Sequence, residues 1–129
     1  MDKITAIAEK HNIKVIEDAS HAQGALYKGR MVGTIGHVGA FSMMSGKSLA
    51  CGEGGMLITN DRNIYERAIA FGHYERTGLP TMYSNAKGQI TNPELKKFAG
   101  IPLGGYKHRM HQLSSSVGRV QLKYYPKRI

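Results

Sequence analysis

Apolar positions in the first residues of the chain recur at helical spacing. Ile4, Ile7 and Ala8 fall on one face, Asp2 stands at the start and Asn12 can close the end, so the pattern predicts a helix over residues 2–11. Ile13-Lys-Val-Ile16 then switches to a short β-branched run, a predicted strand that leads straight into Glu17-Asp18. A helix followed by a strand that ends in a carboxylate is the logic of a parallel α/β sheet, where ligands gather at the carboxyl ends of the strands. Residues 19–30 are poor in apolar positions and punctuated by glycine, which reads as turns and short irregular strands. Residues 37–42 form a second predicted strand, and Met56-Leu-Ile-Thr59 a third. Asn60-Asp61 supplies an N-cap for a helix that carries Ile64, Tyr65, Ala68, Ile69 and Phe71 and ends at Gly72. That helix is expected to cover the sheet as a crossover. Residues 73–105 hold three of the four prolines and read as one long irregular segment. From about Gln112 to Tyr125, Leu113, Val117, Val120, Gln121 and Tyr124 share one face of a final helix, with Pro126 at its end.

Composition adds bounds. With 129 residues, 41% hydrophobic and 21% charged, the chain reads as one globular domain with a core of its own. No apolar run is long enough to cross a bilayer. The N-terminus lacks the apolar core of a signal peptide, and the single Cys51 excludes an intrachain disulfide and a multi-cysteine zinc site. A cytoplasmic protein is the simplest expectation. The net charge of +9 calls for an anionic partner, yet the basic residues are scattered, with some bunching at Lys123, Lys127 and Arg128. No aromatic–basic pattern of a nucleic-acid module stands out. Phosphorylated or nucleotide-linked small molecules account for the charge as well as nucleic acid does, and so does a chain that lacks an acidic other half. Gly33-Thr-Ile-Gly36-His-Val-Gly39 repeats glycine every third residue, which is not the spacing of a dinucleotide fingerprint.

Lys47 lies between the second predicted strand and the glycine cluster Gly52-Glu-Gly-Gly55. A lysine held in a pocket by two strands can lose solvation and become nucleophilic, which suits Schiff-base formation with an aldehyde cofactor. Most lysines at strand ends are solvated surface residues, and on spacing alone that reading leads.

Several segments shift the balance together. Val15-Ile-Glu-Asp18-Ala-Ser-His21-Ala-Gln-Gly24-Ala, Tyr27-Lys-Gly-Arg-Met-Val-Gly33, Phe41-Ser42 five residues ahead of Lys47, Gly52-Glu-Gly-Gly55 and Thr59-Asn-Asp61 occur in this order. They resemble the DegT and StrS group of sugar aminotransferases, enzymes that depend on pyridoxal 5'-phosphate (PLP) and have the aspartate-aminotransferase fold. Gly105-Tyr-Lys-His-Arg109-Met-His-Gln-Leu113 resembles that group's interface loop. The resemblance implies an α/β fold, part of a three-layer large domain with a mostly parallel sheet and covering helices. It implies that Lys47 forms a Schiff base with PLP and moves a proton between cofactor and substrate carbons. Asp18 would pair with the pyridinium nitrogen, where the alternative is a cap or turn aspartate. His21 would contact the ring or its phenolic oxygen, with a surface or structural histidine as the plainer reading. Ser42 would donate to the cofactor phosphate, or be a strand-end serine without a role. Lys107 stands where the group often has an asparagine that reaches the partner subunit's phosphate, and a surface lysine is the alternative.

The resemblance also sets limits. The group carries a phosphate-binding segment ahead of the Asp18 strand and a small domain at the C-terminal end, so residues 1–129 read as an internal part of the large domain. The residues before Lys47, Met43-Met-Ser-Gly46, differ from the aromatic and proline often found there. The isolated chain is expected to oligomerise, most simply as a dimer, or to be marginally stable. It is also expected to bind PLP weakly or not at all by itself. The reaction implied is amino transfer from an amino acid such as glutamate or glutamine to a keto-sugar, expected to be nucleotide-linked. The competing readings are a non-catalytic assembly module with the same fold and a basic nucleic-acid-binding domain.

Overall fold

The computed structural model describes residues 1–72, 90–98 and 107–129. They belong to two compact units, Met1–Asn60 with Met110–Ile129, and Asp61–Arg109.

In the first unit the expected opening helix forms as α1, Asp2–Lys10. Asn12 closes it in the left-handed region, with φ 53°, and the Ile13 N–H donates back to the Ala8 carbonyl at 2.8 Å. Ala8 is buried, whereas Ile4 and Ile7 stay more than half exposed. Strand β1 spans Ile16–Asp18, later than the predicted 13–16. The displacement has a local cause. The Val15 N–H donates to His37 Nδ1 at 3.0 Å, and its carbonyl accepts from the His37 N–H at 2.9 Å, so the residues ahead of Ile16 are tied to His37.

Residues 19–30 fold as expected into turns and short strands. β2, Leu26–Tyr27, and β3, Arg30–Met31, pair antiparallel across Lys28-Gly29. Both turn residues have positive φ, 51° and 79°, as a two-residue hairpin with the right twist requires. Lys28 forms an ion pair with Asp2 of α1.

β4, Val38–Ser42, and β5, Gly55–Ile58, complete a sheet in the order β1-β4-β5. β1 runs parallel to β4, with Asp18 opposite Ala40, and β5 runs antiparallel to β4, with Gly55 opposite Ser42. The carboxyl ends of β1 and β4 therefore share one edge of the sheet, with Asp18 and Ser42 as their last residues. The glycine repeat before β4 is a packing device. A Cβ on Gly39 would stand 2.2 Å from the Gly33 carbonyl oxygen, and a Cβ on Gly33 2.4 Å from the Phe41 ring.

α4 covers Gln112–Tyr124, close to its predicted bounds, and a 3₁₀ turn over Tyr125–Lys127 holds Pro126. His111 caps it, its Nδ1 accepting the Leu113 N–H at 3.2 Å. The expected core face does not form. Leu113 is 72% exposed, and Val117, Val120 and Tyr124 are also exposed. The covered line runs from half-buried Ser114 through buried Gly118 and half-buried Gln121 to buried Tyr125. Gly118 lets the helix approach the chain around Met43 and Cys51, both buried.

In the second unit α2 spans Arg62–Gly72. Asp61 caps it, accepting the Asn63 N–H at 2.9 Å and the Ile64 N–H at 3.3 Å, as predicted. Of the segment read as irregular, residues 73–89 and 99–105 lie outside the described residues. Residues 90–98 contain a short helix, α3, Pro93–Lys96, with Asn92 accepting the Glu94 N–H at 2.9 Å. Ala70, Ile90 and Leu95 form this unit's core.

Candidate functional site

Asp18, His21, Ser42 and Lys47 all lie in the first unit, at or just beyond the carboxyl ends of β1 and β4. The chain leaves β1 through Ala19, which is fully buried, so Asp18 faces out at the sheet edge while its neighbour anchors the turn. The Asp18 Oδ1 accepts the Ser20 N–H at 3.1 Å. Ser20, through its hydroxyl and this N–H, holds the Asp18 carboxyl below its ordinary value, and the charges of His21 and Lys47 lower it further. An ionised carboxylate thus stands near an imidazole and an amine.

Lys47 is half-buried, and its Nζ lies 2.7 Å from His21 Nε2. With the ammonium donating, His21 carries its own proton on Nδ1. The Lys47 loop is shaped by backbone bonds. The Lys47 N–H donates to the Met44 carbonyl at 2.9 Å, the Met43 N–H to Gly54 and the Cys51 N–H to Met43, both at 2.8 Å. These bonds fold residues 43–54 back on themselves between β4 and β5, the strand–loop–strand arrangement expected around the lysine.

Ser42 is reached from the β1 side. Gln23 Nε2 donates to the Ser42 carbonyl at 2.7 Å and to the Ser20 carbonyl at 3.2 Å. The Ser42 hydroxyl accepts the Met44 N–H in a long bond of 3.4 Å. Lys107, the fifth residue expected at the site, is exposed and belongs to the second unit.

The sequence reading passed over Glu17. Its side chain is buried on the opposite face of β1 from Asp18, and it accepts three backbone N–H groups, from Gly33 at 2.9 Å and from Ile35 and Gly36 at 2.6 Å. Burial raises its carboxyl, but the three N–H donors outweigh this and hold it below the ordinary value. The glycine repeat lets the loop wrap a carboxylate closely, but nothing in it marks Glu17 as the residue enclosed.

Together these groups suit a ring cofactor that carries an aldehyde, a basic ring nitrogen and a phosphate. An amine can condense with the aldehyde, an ionised carboxylate matches a protonated ring nitrogen, and a strand-end hydroxyl can meet phosphate. Among the described residues no group of three or more His, Cys, Asp or Glu side chains is placed to hold a metal ion. No described helix is long and apolar enough to cross a membrane.

Known proteins are similar to this chain over nearly its whole length. The sequence profile of the DegT/DnrJ/EryC1/StrS aminotransferase family matches residues 1–129. GDP-perosamine synthase of Escherichia coli O157:H7 is 33% identical over 123 residues, 95% of this chain and 29% of that protein. The crystal structure of an aminotransferase from Psychrobacter cryohalolentis is 37% identical and superposes with a TM-score of 0.76 over 98% of this chain and 30% of that one. The Escherichia coli GDP-4-keto-6-deoxy-D-mannose-3-dehydratase, solved with bound hydrated PLP, is 27% identical and superposes at 0.72 over 98% of this chain and 32% of that one. The chain therefore spans less than a third of the length of these relatives.

Proposed function

The chain belongs to the DegT/DnrJ/EryC1/StrS aminotransferase family, and from that premise we propose that it serves PLP-dependent transfer of an amino group from glutamate or glutamine to a nucleotide-linked keto-sugar. The observation that carries this reading is the contact between Lys47 Nζ and His21 Nε2 at the sheet edge where Asp18 ends β1. PLP, when bound, supplies an aldehyde carbon for an amine and a ring that takes up the electron pair left when a C–H bond breaks.

The chain's own residues then have separate tasks. The Lys47 amine condenses with the aldehyde, with loss of water. Once freed by the amino-acid substrate, Lys47 Nζ would take the proton from the substrate's α-carbon and return it to the carbon on the far side of the shared nitrogen. Asp18, kept as a carboxylate, holds a proton on the ring nitrogen. His21 orients the ring through its oxygen, and Ser42 donates its hydroxyl proton to a phosphate oxygen. Lys107 offers its charge to the phosphate bound by a second copy, which makes the working form a dimer. The single free Cys51 suits the reducing cytoplasm.

The test treats the chain with PLP and borohydride, alone and joined to the flanking segments of a relative, and maps the reduced adduct by peptide mass spectrometry. The expected site is Lys47, with a stronger signal when the flanking segments are present and none in Lys47→Ala. If neither form carries an adduct on Lys47, amino transfer by this site is ruled out and an assembly role takes its place.

A further inference from the structure

The loop that carries Lys47 is fastened from an unexpected direction, the C-terminal end of the described chain. Tyr125, the buried first residue of the 3₁₀ turn after α4, reaches both segments of the candidate site. Its hydroxyl donates to the Gln23 carbonyl at 2.8 Å and lies 2.9 Å from Ser48 Oγ. Ser48 Oγ in turn donates to Gln23 Oε1 at 3.1 Å, and Gln23 Nε2 donates to Ser20 and Ser42. Tyr125 and Ser48 carry one hydroxyl proton each, and either can donate across their 2.9 Å contact, so the two protons are shared among the acceptor oxygens of the ring. Three side chains from three distant segments thus close a ring, two residues from His21 on one side and next to Lys47 on the other.

A separate packing feature makes room for it. A Cβ on Gly24 would stand 3.3 Å from Tyr125 Cε1 and 3.0 Å from Ile129 Cδ1. Glycine at 24, with φ 76°, turns the chain away and lets the tyrosine ring seat against the backbone. Midway along α4, Gly118 brings the helix against Met43 and Cys51, which flank the Lys47 loop. The last helix and its 3₁₀ turn thus meet the loop before and after the lysine.

We propose that Tyr125, acting through Ser48 and Gln23, is a positioning residue that fixes Lys47 relative to Asp18 and His21. The proposal deepens the reading of Lys47 as the cofactor lysine and rests on it. Tyr125 and Ser48 touch no reacting atom. Their effect passes through the backbone of residues 20–24 and 44–48, which sets the distance between the amine and the carboxylate. A single neutral hydrogen bond lost here shifts the positioned fraction by about threefold to tenfold.

The test compares Tyr125→Phe, Ser48→Ala and Ser48→Thr with the parent chain by two measurements. The first is hydrogen exchange of the amides of residues 20–24 and 44–48, which needs no cofactor. The second is the share of borohydride-reduced PLP adduct on Lys47 relative to Lys10 in the same molecule, taken with each chain joined to the flanking segments of a relative. Tyr125→Phe and Ser48→Ala are expected to speed exchange in both segments together and to lower the Lys47 share by about threefold to tenfold, while Ser48→Thr, which keeps the hydroxyl, stays near the parent. Should Tyr125→Phe fail to fold, the Ser48 pair decides. Faster exchange confined to the substituted segment, or a Lys47 share unchanged in Ser48→Ala, would overturn the proposal. If Lys47 takes no more adduct than Lys10 even in the parent joined to the flanking segments of a relative, the cofactor reading itself falls, and the clasp is then judged by exchange alone.

Discussion

Glu17 and Asp18 are adjacent carboxylates with opposite tasks, separated by the two-residue alternation of a strand. Asp18 faces the sheet edge and Glu17 faces the glycine loop, where three N–H groups converge on it. Its folded value lies below the ordinary 4.5, so its contribution to stability is present above 4.5 and is lost as pH falls through the lower folded value. A glutamine at this position offers one acceptor oxygen, and its NH₂ must face at least one N–H that the carboxylate satisfied. Glu17→Gln is therefore expected to cost about 1–3 kcal/mol at pH 7 and less below pH 4, read by thermal melts at both. Equal melting temperatures for the two chains at pH 7 would show that the cradle contributes nothing. The place of Asp18 at a strand end was legible in the sequence, because the β-branched run ahead of it marks the strand. Glu17 was not, because its partners are backbone groups up to 19 residues away, which no side-chain pattern marks.

At the scale of elements, local signals fared better than faces. The Asp61 cap follows from a few adjacent residues and the Lys28-Gly29 hairpin from backbone preference, whereas the Asn92 cap and α3 fall inside the segment read as irregular. The orientation of α4 was misread, because periodicity reports which positions are apolar and not which are covered. Its covered line runs through Gly118, where close approach to Met43 matters more than side-chain bulk. Asp18, His21, Ser42 and Lys47 emerged from order and distance along the chain, whereas the fastening of their loops by Gln23, Ser48 and Tyr125 spans up to 102 residues and left no local trace. In the second unit the same kind of long-range clamp joins α2 to the residues before α3. Glu66 is almost fully buried and accepts from Arg62 Nε at 2.7 Å, from the Thr91 N–H and hydroxyl at 3.0 and 2.6 Å, and from the Asn92 N–H at 2.8 Å. Burial opposes its charge, but Thr91, Asn92 and Arg62 together lower it from 4.5 to about 2. The stability it gives is present above 4.5 and is lost as pH falls toward 2. The amide resonances of Thr91 and Asn92 are expected to titrate with a midpoint near that lower value in an NMR pH series. A midpoint near 4.5 would mean that the clamp is open in solution.

For the whole molecule, charge and exposed apolar surface pull in opposite directions. The net charge is +9, and like-charged copies repel. Yet Leu113, Val117, Val120 and Tyr124 follow one another along α4 with about half or more of each side chain exposed, and Ile4 and Ile7 do the same on α1. A run of this kind on one helix face favours association once repulsion is screened. Raising salt from ~0.01 to ~0.15 M shortens the screening length from about 30 to about 8 Å, which removes most repulsion between copies and leaves apolar attraction intact. Sedimentation velocity is therefore expected to show the average mass rising with salt, the reverse of what ion-pair-driven association would give. The double substitution Leu113→Gln with Val120→Gln should suppress that rise. Because both residues are exposed in the chain, it should change unfolding stability by no more than about 0.5 kcal/mol. A chain that stays monomeric across the salt series, or a doubly substituted chain that associates as the parent does, would show that this face of α4 does not drive association.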